Sequence, residues 1–255
     1  MVMIHDPSVA VRRRHLPLAG SAKGRGALSE DSMSDDVTLF GKLKSKLIES
    51  KQKWAEDGRL LTGKAAARAD RLPPGQRLVE TWPVLDLGIQ PEIPTHAWRL
   101  FVDGEVEQPT TFRWGEFTDL PKTRLRTDIH CVTAWSRYDN AWEGVSARDL
   151  LALVRPKPEA RHVIFHSYDT YTTNVPLKDF AAEDVLLAWS WNGQRISREH
   201  GGPLRVVIPK LYFWKSAKWI KRVEFSMIDK PGFWEVRGYH NYGDPWLEQR
   251  YDEEA

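Results

Sequence analysis

From about Leu72 onward, the apolar residues come in runs too short for anything but strands, and turn-forming residues punctuate them. In the stretch AWRLFVDGEV, Trp98, Leu100 and Val102 alternate with polar neighbours ahead of an Asp-Gly pair, a hairpin signal. HVIFHS and LRVVIP are short apolar runs bounded by polar residues or proline, as in strands buried on both faces. VEFSMI alternates again, placing Val223, Phe225 and Met227 on one side. One interior helix is predicted, SARDLLALV, where Ser146 stands as N-cap with Asp149 three positions on. A mixed, strand-rich α+β domain with a few short helices over residues 72–255 follows, and no internal repeat is visible.

The preceding residues read differently. Residues 1–36 are rich in Arg, Ser, Gly, Ala and Asp without an apolar period, so disorder is expected there. Residues 37–71 begin with a short amphipathic helix that sets Leu39, Leu43 and Leu47 at i, i+4 spacing, followed by a linker closed by Pro73 and Pro74. Three consecutive arginines, Arg12 to Arg14, are not followed by the apolar segment that an export signal requires, so a cytoplasmic location is expected. No apolar run approaches the roughly 20 residues that cross a bilayer, so direct membrane insertion is not expected. With 37 basic and 35 acidic residues the net charge is only +2, which does not give the uniform field expected of a nucleic-acid binder.

Among 255 residues there is one cysteine, Cys131, set in the run IHCVTAWS. This excludes an internal disulfide, an iron–sulfur cluster held by its own thiolates, and two-cysteine haem attachment. Three roles remain open. As a nucleophile, Cys131 needs a base, yet neighbouring His130 points to the opposite face of an extended segment. As a structural residue it behaves as a small hydrophobe. As a metal ligand it cannot hold zinc alone, but one thiolate suffices if a cofactor brings the other ligands. The 12 tryptophans fit an aromatic core, or alternatively a non-catalytic module that stacks ligands on indole rings.

Three segments bear on that choice: HCVTAWSRYDNAWEGVSARDLL; NGQRISREHGGPLRVVIP followed by LYFWKSAKWIKRVEF; and GFWEVRGYHNYGDPW. In order and spacing they resemble the sulfite oxidase superfamily of molybdopterin-dependent oxidoreductases, nearest the branch of bacterial methionine-sulfoxide reductases. The resemblance runs from about Leu72 to Trp246 and implies that superfamily's fold and a molybdopterin cofactor. It implies Cys131 as the protein thiolate on molybdenum, a soft ligand suited to a sulfur-rich centre. It further implies Ser167, His200, Arg205, Lys215, Ser216 and Lys218 as the cofactor's cradle, where cations, hydroxyls and close backbone meet a phosphate and amide-like edges. Tyr168, Asp169 and Tyr171 are candidates for the substrate wall, and Arg137 is the only nearby cation for an anionic substrate. The implied reaction is two-electron oxygen-atom transfer on a small S-oxide, N-oxide or sulfite-like molecule. No haem, flavin or iron–sulfur motif is visible, so a separate haem or flavin protein is expected to carry electrons.

Overall fold

A computed structural model describes residues 70–252, together with Glu49, which is helical. The expected disordered extension, and the helix and linker apart from Glu49 and Asp70 to Arg71, lie outside the described residues. Among the described residues, no helix is long and apolar enough to cross a membrane.

Two mixed sheets carry the fold. The first joins β1 (Arg77–Leu78), β4 (Thr123–Cys131), β5 (Trp135–Ser146), β8 (Leu186–Trp191), β9 (Gln194–Arg195) and β10 (Arg205–Val207). Along it the order is β1-β5-β8-β10; β4 also pairs with β5, and β9 with β8. The second runs β3-β2-β11-β6-β7, built from β2 (Arg99–Gly104), β3 (Thr110–Arg113), β6 (His162–Ser167), β7 (Thr172–Pro176) and β11 (Ile220–Ser226). Pairing is antiparallel except for β1 with β5 and β2 with β11. Among residues 70–252, three short α-helices complete it: α1 (Trp114–Thr118), α2 (Ala147–Val154) and α3 (Leu177–Phe180).

The alternation of side chains explains how the sheets stack. Leu100 and Val102 of β2, Val163 and Phe165 of β6, and Val223 and Phe225 of β11 meet Val145, Leu187 and Val206 of the first sheet in one core. Fully burying each such side chain contributes about 1.5–3 kcal/mol. Their sequence neighbours Leu186, Ala188 and Val207 point the other way, into a second cluster with Cys131, Trp135, Trp142, Phe213 and Trp214. Leu186 to Ala188 of β8 and Val206 to Val207 of β10 are covered on both faces and therefore read as continuous apolar runs. Helix α2 begins where predicted: Ser146 Oγ accepts the Asp149 N–H at 3.0 Å.

Two expectations needed correction. Asp103-Gly104 is not the hairpin turn, because β2 continues through Gly104, which pairs with Phe225. Gly104 has φ +87°, and a Cβ there would stand 2.1 Å from the Phe225 carbonyl oxygen, so close strand approach explains this glycine. The chain instead turns between Gly104 and Thr110, where β3 begins. Met227 lies one residue beyond β11 and is exposed, so the buried stripe of that strand ends at Phe225.

Candidate active site

The cysteine sits where β4 ends. Three residues, Val132 to Ala134, connect β4 to β5, and Cys131 pairs directly with Trp135. Such a short hairpin connection needs a left-handed residue before the returning strand; Ala134 supplies it at φ 63°, with its N–H donating to the Cys131 carbonyl at 3.1 Å. The hairpin tip is held by side chains from distant parts of the chain. Gln76 Nε2 donates to the Cys131 carbonyl at 3.0 Å, and Arg250 Nη1 donates to the Val132 carbonyl at 2.6 Å. Ser136 Oγ donates to Gln76 Oε1 at 3.2 Å and lies 2.8 Å from His130 Nδ1. The Thr133 hydroxyl donates to Cys131 Sγ at 3.3 Å.

Burial pushes the Cys131 thiol up, opposed by hydrogen bonds from the Thr133 hydroxyl and from the Thr133 and Val132 backbone. His130 turns to Ser136, and burial pulls its imidazole down to about 4, so it is neutral near pH 7. The Cys–His dyad is thereby set aside: Sγ is partnered by Thr133, and the adjacent histidine faces a serine.

Beside Sγ opens a cavity with about 890 Å³ of empty space, part of it open to solvent, within the size range of cofactor sites. Strand ends and the turns after them build its walls. Ser167 closes β6, Asp169 and Tyr171 follow it, His200 comes from a 3-10 turn (Arg198–His200), and Arg205 opens β10. Ser216 and Lys218 line a further side, after a second 3-10 turn (Phe213–Lys215).

Arg205 is the dominant charge. Its guanidinium donates to the His200 carbonyl at 2.7 Å and the Ser216 carbonyl at 2.8 Å, and lies over the rings of Phe213 and Trp82 at 4.2 and 5.2 Å. Desolvation pulls its pKa down to about 9, and no carboxylate forms an ion pair with it among the described residues. His200 packs on Trp82 at 4.0 Å between ring centres and is driven down to about 3 by burial and by Arg205 and Lys218. Burial, with the Glu235 charge, holds Tyr171 well above its ordinary value; its O–H donates to the Trp214 carbonyl at 2.7 Å.

The structure thus brings Cys131, Ser167, Asp169, Tyr171, His200, Arg205, Ser216 and Lys218 to one cavity. It does not bring Arg137, Tyr168 or Lys215 there. Arg137 donates to the Glu80 carbonyl at 3.0 Å and lies over Trp191 at 4.8 Å. The Tyr168 hydroxyl accepts from the Arg99 N–H and donates to the Arg99 carbonyl, both at 2.8 Å, securing the start of β2. Lys215 is fully buried, 2.6 Å from Glu235 Oε1, and donates to the carbonyls of Asn174 and Asn241 at 2.9 and 2.7 Å. Its position in a short polar turn suggested a cofactor contact, but its amine serves an internal ion pair. Sequence reasoning missed Trp82, Leu85, Leu87, Thr133, Trp214 and Tyr239, which also line the cavity. For Trp82 the Thr-Trp-Pro run was a signal; for the others there was none beyond proximity to Cys131 or to the C-terminal aromatic stretch.

Two buried polar atoms at this wall, Ser167 Oγ and Trp135 Nε1, have no hydrogen-bond partner. Orphaned groups of this kind are costly unless a ligand satisfies them. With an unpaired buried guanidinium for a phosphate, free hydroxyl and indole groups for amide-like edges, and one soft sulfur, the residues fit a molybdopterin. Among the described residues, no group of three His, Cys, Asp or Glu side chains could hold a metal ion by itself, so a metal at Cys131 requires ligands from its carrier.

Comparisons with known proteins agree. The family described as "Oxidoreductase molybdopterin binding domain" matches residues 87–234. An uncharacterized oxidoreductase, YuiH of Bacillus subtilis (strain 168), is 45% identical over 185 residues, covering 72% of this chain and 93% of that protein. The protein-methionine-sulfoxide reductase catalytic subunit MsrP of Ralstonia nicotianae is 27% identical over 58% of this chain, which spans 49% of MsrP's length. A putative protein-methionine-sulfoxide reductase subunit, YedZ1 of Azospira oryzae, is 28% identical over 60% of this chain and 58% of its own length. The chain thus spans only about half the length of these two named reductase relatives. In fold, it is similar to the sulfane dehydrogenase SoxCD of Paracoccus pantotrophus, with a TM-score of 0.50 and 23% identity over 55% of this chain and 40% of that one. With its strand-rich fold, its cavity and these matches, the chain belongs to the molybdopterin-binding oxidoreductases of the sulfite oxidase superfamily, and its cofactor is molybdopterin.

Proposed function

We propose that this enzyme catalyses two-electron oxygen-atom transfer on a small uncharged S-oxide or N-oxide, with the Cys131 thiolate as the protein ligand to molybdenum. The observation carrying this reading is the position of Sγ, fixed on a tight hairpin at the wall of a cavity whose orphaned polar groups fit the cofactor. When bound, the cofactor supplies the redox chemistry. Arg205 and Lys218 would hold its phosphate; His200, kept neutral, Ser167 and Ser216 would take its polar edges. Trp135, Trp214 and Trp219, which line the cavity, would exclude water from the reacting face.

An uncharged substrate is favoured over sulfite because an oxyanion wants several convergent cations. In this reading the charge of Arg205 is taken up by the cofactor phosphate, and Arg137 lies elsewhere. Reduction of an oxide consumes two protons, and we assign the delivery of one to the Asp169 carboxylate, which lines the cavity. Tyr171 is a poorer donor, since its proton is committed to the Trp214 carbonyl. The methionine-sulfoxide reductase subunits among its relatives support the S-oxide reading, and their working as subunits supports electron delivery by a separate protein, for which a haem or flavin protein is our candidate.

The test is molybdenum analysis and pterin fluorescence on protein purified from a host that makes the cofactor, followed by dye-linked assays on S-oxides, N-oxides and sulfite. Stoichiometric metal, lost in Cys131→Ala, with turnover of an oxide, is expected. Metal-free protein, or metal retained without the thiol, would refute it; preferential turnover of sulfite would refute the substrate class.

A further inference from the structure

The hairpin that presents Cys131 also presents a second group. Thr133 follows two residues later, is 4% exposed, and directs its hydroxyl at Sγ from 3.3 Å. A metal-bound thiolate carries no proton, so within such a pair only the hydroxyl can donate. Burial removes water as a competing donor and strengthens the bond electrostatically. Donation to a sulfur ligand draws electron density away from the metal, and hydrogen bonding of this kind sets the potentials of other thiolate-held centres.

We propose that Thr133 tunes the reduction potential of the molybdenum centre through its hydrogen bond to Cys131 Sγ. Thr133 acts through another residue and is therefore a positioning and tuning group rather than a catalytic one. The inference rests on Cys131 being the metal ligand. Its direction follows from charge. A hydroxyl proton aimed at sulfur favours the more electron-rich, reduced metal, so the bond raises the potential and its loss lowers it.

Thr133→Val removes the hydroxyl while keeping the branched shape, and Thr133→Ser keeps the hydroxyl. EPR-monitored redox titration of the loaded enzymes should show Thr133→Val shifted to lower potential by roughly a tenfold change in the one-electron equilibrium, about 59 mV, with Thr133→Ser close to wild type. Visible spectra supply a second readout, free of turnover: the sulfur-to-metal charge-transfer band should move to longer wavelength in Thr133→Val, because the sulfur lone pair is no longer stabilised. Thr133→Ala, smaller and less demanding of the fold, should show the same red shift if the valine variant fails to load. Unchanged potential and band in a loaded variant would overturn the inference. Cys131→Ala separates it from the ligand assignment: a wild-type band that survives loss of the thiol refutes ligation itself, whereas a band lost in Cys131→Ala but unmoved in Thr133→Val and Thr133→Ala refutes only the tuning role.

Discussion

Replacing Lys215 by methionine should cost this protein about 4 kcal/mol, although the residue touches no ligand. Its ammonium is completely buried beside Glu235 at 2.6 Å and also meets Asn174 O, Asn174 Oδ1 and Asn241 O at 2.9, 3.1 and 2.7 Å. Burial alone would pull the amine down; the Glu235 charge opposes this. Breaking a buried pair from one side costs about 3–5 kcal/mol, because the other charge stays behind. Two donors soften the loss, Thr173 Oγ1 at 2.7 Å and Trp214 Nε1 at 3.0 Å on Glu235, but two backbone carbonyls are stranded, which raises it again. Pairing Lys215→Met with Glu235→Gln removes both charges while leaving an oxygen for Thr173 and Trp214. The double variant should therefore be more stable than the sum of single effects predicts, by about 2 kcal/mol. Urea unfolding measures this: with a slope near the upper end of about 1–3 kcal/mol per M, the Lys215→Met midpoint falls by about 1–2 M. A loss under about 1 kcal/mol, or strict additivity, would refute the view that this pair, and not the cofactor, is what the lysine serves.

The remaining predictions concern a cap, a proton and a cation. Ser146→Ala removes the acceptor for the Asp149 N–H and should cost about 1 kcal/mol, lowering Tm by roughly 2–4 °C in calorimetry; no shift would mean that the cap adds nothing to α2. His200 has a folded-state pKa of about 3 against an ordinary 6.5, so between those values the unfolded chain binds more protons and stability drops as pH falls. In cofactor-free protein, His200→Gln should reduce the stability lost between pH 6.5 and 4.5 by at most about 2–3 kcal/mol; an equal pH slope by urea titration would contradict the assignment. Arg205→Lys keeps a charge but loses the fork that reaches two carbonyls, so the molybdenum-to-protein ratio after extensive dialysis should fall about tenfold, and full retention would argue against a cofactor role.

What the sequence revealed follows the range of the forces involved. Alternation over β2 and the cap on α2 are local, so Leu100, Val102 and Ser146 could be placed from their immediate neighbours. The register between β2 and β11 is not local, and this is why the Asp103-Gly104 pair suggested a turn when it answers to the Phe225 carbonyl across the sheet. The cavity shows the same split. Motif-bearing residues such as Cys131, His200 and Arg205 line one cavity. Charge type alone could not separate Arg205, which has no anionic partner among the described residues, from Lys215, whose partner Glu235 lies 20 positions on and becomes a neighbour only through folding. Thr133 escaped notice because a hydroxyl has no distinctive chemistry until a fold places it beside Sγ, and Trp82, despite its Thr-Trp-Pro setting, becomes part of the site only where it meets Arg205.

The bond from Arg250 to the Val132 carbonyl joins residues 118 positions apart. A ribosome making this chain must therefore extrude more than a hundred residues after the thiol before that brace can form. The hairpin tip that carries Cys131 is consequently assembled in time order, synthesised early and braced late.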